Sequence, residues 1–72
     1  MKNSRRVQMD LSEGSFERLN RLKELTEASS YSELMRDALR LYEFLLSENI
    51  KGSVFFVESS SGDRTKIINL FQ

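Results

Sequence analysis

The stretch Arg5-Arg6-Val7-Gln8-Met9-Asp10-Leu11-Ser12 alternates polar and apolar side chains from Arg6 onward. Side chains on a strand point alternately to its two faces, so Val7, Met9 and Leu11 share one side and Arg6, Gln8 and Asp10 the other. A long helical stretch follows, and a lone strand leaves its own backbone donors and acceptors unsatisfied. A partner strand is required, from the C-terminal segment or from a second copy of the chain. The polar face suits a two-stranded ribbon lying in a DNA major groove. That groove admits a β-ribbon, and Arg, Gln and Asp match the edges of guanine, adenine and cytosine respectively.

Size sharpens the need for a partner. The chain has 72 residues, one domain at most, and a chain of that length buries only about three-fifths of the surface it exposes when unfolded. It contains no Cys and no His, so disulfides and a structural zinc are excluded as staples and oligomerisation remains. A homodimer is expected. Met1 to Asp10 lacks the apolar run of a signal peptide and nothing approaches a membrane span, so a cytoplasmic protein without a membrane partner is expected. Eleven basic residues balance eleven acidic ones, which argues against a general polyanion binder. The basic residues are nevertheless uneven: Lys2, Arg5 and Arg6 are the only charged side chains before Asp10, and a two-fold dimer brings both copies of that arm to one surface.

Helical grammar follows. Ser12 suits an N-cap, with Glu13 complementing the dipole in the first turn. Phe16, Leu19, Leu22 and Thr26 lie along one side of a first helix over Glu13 to Glu27, and Leu25, off that stripe, covers an edge of the core. Ser30 and Glu33 have the spacing of a capping box, each side chain satisfying the other residue's backbone N–H. The second helix then carries Leu34, Met35, Ala38, Leu39, Leu41, Tyr42, Leu45 and Leu46, an apolar surface wide enough for two contacts: the first helix and the same helix of a symmetry mate. It stops between Asn49 and Gly52, with Gly52 just past its end. Beyond it, Val54 to Glu58 and Thr65 to Phe71 are rich in β-branched and aromatic residues around a loop-like Ser59 to Asp63, which predicts a β-hairpin. Apolar residues on both of its faces predict packing on the helical body or on a neighbouring subunit.

The order strand, helix, helix, with Ser30-Tyr31-Ser32-Glu33-Leu34-Met35-Arg36-Asp37-Ala38-Leu39 opening the second helix, resembles the ribbon-helix-helix family of bacterial and phage DNA-binding proteins, the Arc and MetJ-like group. The resemblance covers roughly Arg5 to Leu46. It implies an intertwined dimer whose N-terminal strands pair antiparallel and leaves the hairpin outside it; the expected fold is then α+β with a mainly α core, residues 1–52 forming the DNA-binding domain and 53–72 the added hairpin packed on it. Arg6, Gln8 and Asp10 are then the base-reading residues, a good bidentate contact being worth about 1–3 kcal/mol of discrimination. The N-terminus of the second helix clamps the DNA backbone through Ser30, Tyr31 and Ser32, and Lys2 and Arg5 add phosphate contacts that position the ribbon.

Three positions depart from the family pattern. Asp10 is acidic where neutral or basic groups are usual; with a two-fold axis near Gln8 it faces Arg6 of the other chain, a favourable cross-strand pair. Ala28 stands where Gly is common between the helices. Tyr31 replaces a basic residue. An enzyme is not expected, since the chain has no His or Cys and no glycine-rich phosphate loop, and no cofactor or metal is implied. The expected function is sequence-specific double-stranded DNA binding by a transcriptional regulator, a repressor, with dimers also assembling on DNA. The alternative is an antitoxin-type module whose Val54 to Phe71 region binds a partner protein while the ribbon represses its own operon.

Overall fold

A computed structural model describes residues 4–71. Two helices, α1 (Glu13–Thr26) and α2 (Tyr31–Ile50), precede a two-stranded antiparallel sheet of β1 (Phe55–Glu58) and β2 (Arg64–Ile67). The chain is therefore α+β and mainly helical, and it divides into two compact units, Met1–Leu34 and Met35–Gln72.

In the first unit the helix boundaries follow from local hydrogen bonding. The Ser12 hydroxyl accepts from the Ser15 amide at 3.1 Å and Ser12 C=O from the Phe16 amide at 2.9 Å, as an N-cap should. At the other end, the Glu27 amide donates to Glu24 C=O and the Ala28 amide to Lys23 C=O, each at 3.1 Å. This is a Schellman closure, and its left-handed residue is Glu27, with φ 58°. Helix α1 thus stops one residue short of the expected Glu27. The left-handed position also falls one residue before Ala28, where the family pattern places its glycine.

A side chain with a Cβ is disfavoured in that region by about 1–2 kcal/mol. Glu27→Gly is therefore expected to raise stability by about 1 kcal/mol, read as an increased urea midpoint. Glu27→Ala, which keeps the Cβ, is expected to leave the midpoint unchanged; equal midpoints for both variants would dismiss conformational relief as the cause.

The capping box at the start of α2 is offset from expectation. The Glu33 amide donates to Ser30 Oγ at 3.0 Å, as anticipated. Glu33 Oε1, however, accepts from the amide and hydroxyl of Ser29, at 2.6 and 2.7 Å. The carboxylate gains two donors at Ser29, where the Ser30 amide would have supplied one.

In the second unit α2 ends as the glycine predicts. Gly52, at φ 94°, donates to Asn49 C=O, and the Ser53 amide donates to Glu48 C=O, a second Schellman closure. Ser53 Oγ also donates to Glu48 Oε1 at 2.7 Å. That bond, together with Lys51 at 3.4 Å, holds the Glu48 carboxyl below its ordinary pKa.

The hairpin pairs Phe55 with Ile67, Phe56 with Lys66, Val57 with Thr65 and Glu58 with Arg64. Its turn follows Ser60, Ser61 and a left-handed Gly62 (φ 98°), closed by Gly62 N–H to Ser59 C=O and Ser59 N–H to Asp63 C=O. A three-residue loop with glycine in the left-handed position matches the twist of the strands it joins. Both strands are shorter than the sequence predicts, β1 beginning after Val54 and β2 ending at Ile67. Asn69 adopts φ 59°, which breaks the extended run and turns the chain aside before Ile68 can pair with Val54. Phe71, expected in the strand, instead meets the Tyr42 ring edge-on at 5.3 Å.

Candidate nucleic-acid interface

The proposed reading segment stands alone in the single chain. Residues 4–11 carry neither helix nor strand, and none of their backbone groups is hydrogen-bonded to another described residue. The expected N-terminal strand is thus not formed within one chain; the hairpin, the only sheet among the described residues, does not recruit it. Arg5, Arg6, Gln8 and Asp10 are exposed. The side chains expected in the core are exposed too: Val7 at 81%, Met9 at 61% and Leu11 at 41%.

The same holds along the helices. Phe16, Leu22 and Leu25 of α1 and Leu39, Leu41, Tyr42, Phe44, Leu46 and Ile50 of α2 are exposed. Leu34, at 7%, is the one buried apolar residue among the described residues. Leu25 covers no core edge in the single chain, and Phe44 adds to the α2 surface beyond the residues picked out by sequence. A chain with one buried hydrophobe lacks the interior that normally offsets the entropy of folding.

At the start of α2 the geometry is more developed. The Leu34 amide donates to Ser30 C=O at 3.1 Å, while the Tyr31 and Ser32 amides have no partner among the described residues. Those two N–H groups stand at the positive end of the helix dipole and can receive an anionic oxygen. Tyr31 is held rather than loose: its hydroxyl donates to Asn20 Oδ1 at 2.5 Å, and Lys23 Nζ lies 5.5 Å from its ring centroid. Asn20 and Lys23 are three residues apart on α1 and so project from one face.

Tyr31 therefore has a cation beside it, Lys23, seated over its ring. Sequence reasoning missed Lys23, because only packing brings α1 and the start of α2 together. Glu24 and Glu27 line the same shallow cleft with Asn20, Lys23, Ala28 and Tyr31, which tempers its positive potential. Lys2 lies outside the described residues.

Among the described residues no group of three His, Cys, Asp or Glu side chains is placed to hold a metal ion, and no helix is long and apolar enough to cross a membrane. Comparison with protein-family models, curated proteins and solved structures finds no match.

Proposed function

We propose that two copies of this chain pair their residues 5–11 antiparallel and present Arg6, Gln8 and Asp10 to the major groove of double-stranded DNA, making the protein a sequence-specific regulator of the ribbon-helix-helix type, acting as a repressor. One observation carries the reading. A segment with strand periodicity has exposed backbone donors and acceptors, an exposed apolar face and no intramolecular partner, although its neighbour α1 is firmly capped. Pairing with its own copy satisfies the backbone and places Val7, Met9 and Leu11 of both chains against the exposed apolar surface of the helices. The polar residues then lie together on the opposite face. The Tyr31 and Ser32 amides, with Lys23 close by, supply backbone contacts that set register without reading bases.

The test is selection of binding duplexes from random DNA, followed by mobility shifts on the enriched sequence across a salt series. A defined, two-fold symmetric sequence is expected. If Lys2 and Arg5 of both chains each neutralise one phosphate, log affinity against log salt falls with a slope of about −3.6. Absence of enrichment, with equal affinity for all duplexes, would refute the assignment.

A further inference from the structure

The hairpin has two open edges that differ in chemistry. The Ser59 amide bonds to Asp63 C=O, and hydrogen-bonded pairs alternate with non-bonded ones along an antiparallel ladder. Val57 and Phe55 therefore direct their N–H and C=O groups toward β2, while Phe56 and Glu58 turn theirs outward. On β2 the outward residues are Arg64 and Lys66. No Cα atom of either strand lies within 8 Å of one in α2; Phe55 and Ile67 are half-buried, while Phe56, Val57 and Glu58 of β1 and Arg64, Thr65 and Lys66 of β2 are exposed. A two-stranded hairpin of this length is marginal by itself, and an uncovered edge is a template for another strand.

Charge separates the two edges. If β2 met a copy of itself about Thr65, Arg64 would oppose Lys66 of the second copy, and like charges directly opposite are unfavourable. Reversing β1 about Phe56 gives a different result. Phe56 meets Phe56, Phe55 meets Val57, and Val54 meets Glu58 of the second copy, so no like charges face each other. The outward groups match as well: two hydrogen bonds join the Phe56 residues and two join each flanking Val54–Glu58 pair, about six in all. Phe55 and Val57 of both copies then share a face with Ile67, extending one apolar surface. Arg64, stacked 4.7 Å from the Phe56 centroid and paired with Glu58 at 3.5 Å, occupies the other face.

We propose that β1 is a self-association edge, pairing antiparallel with β1 of a second copy about a two-fold axis at Phe56 to form a four-stranded sheet. The pairing does not depend on the DNA-binding reading, because it uses neither residues 5–11 nor the start of α2.

The chain contains no Cys, so single cysteines report the register directly. Opposed residues of a hydrogen-bonded pair have Cα atoms about 5.5 Å apart, within disulfide reach. The Glu58 residues of the two copies would be about 14 Å apart, outside it. Under mild oxidation the Phe56→Cys protein is expected to cross-link at least about tenfold faster than Glu58→Cys or Lys66→Cys proteins. Hydrogen exchange on the unaltered protein gives a second reading: the outward Phe56 and Glu58 amides are expected to exchange at least about tenfold more slowly than those of Arg64 and Lys66. Equal exchange at the two edges, or cross-linking through position 58 or 66 as fast as through 56 in folded proteins, would overturn the proposal.

Discussion

Val7→Glu and Met9→Glu are each expected to abolish assembly of the proposed ribbon dimer and with it most of the folded state. In one chain these side chains are exposed, at 81% and 61%, so a carboxylate there would be harmless to a monomer. In a ribbon dimer each substitution enters twice, beneath the tape. It removes about 1.5–3 kcal/mol of apolar burial per side chain and adds an ion whose desolvation costs several kcal/mol. For a small protein, whose total stability lies at the low end of about 5–15 kcal/mol, the sum is decisive. Sedimentation equilibrium and the helical circular dichroism signal measure it together; parental mass and melting temperature in both variants would remove the ribbon dimer. Val7→Ile, which keeps the face apolar, is expected to leave both nearly unchanged.

Arg6→Ala and Gln8→Ala are expected to lose sequence discrimination while keeping mass and melting temperature. Each side chain is exposed and lies on the face opposite Val7 and Met9, so its removal leaves the apolar side intact. A bidentate base contact is worth about 1–3 kcal/mol, and a two-fold dimer loses two of them, so preference for the selected duplex should fall by about 30-fold or more. Competition between the selected duplex and a scrambled one separates this from a general loss of charge. Gln8→Ala is the cleaner variant, since it alters no charge and should leave the salt slope unchanged. Wild-type discrimination in both variants would show that this face does not read DNA.

These two experiments divide the proposal at its joint: the first asks whether a second chain completes the fold, and the second asks what the completed surface recognises. The edge pairing at Phe56 is tested separately from both, because Phe56→Cys leaves residues 5–11 and the reading face unaltered.

Much of the local structure was legible in the residues. Ser12 and Gly52 mark their helix ends because capping and left-handed closure depend on a few consecutive residues. Ser59 to Asp63 reads as a hairpin loop for the same reason. Where the structure differs, the outcome depends on geometry rather than on residue type. Glu33 reaches Ser29 instead of the Ser30 amide, and β2 stops where Asn69 turns left-handed, a conformation that Asn tolerates but does not announce. Neither difference has a distinct periodic signature.

The amino-acid order by itself determined the two helices, the N-cap at Ser12 and the left-handed closure at Gly52, since each rests on interactions between residues a few positions apart. Tertiary structure alone decided that Tyr31 would hold Lys23 and Asn20 at the start of α2, that Phe71 would leave the strand for Tyr42, and that β1 would pair with β2 alone among the described residues. Such pairings depend on distances between elements remote along the chain, and spacing within a single helix or strand does not encode them.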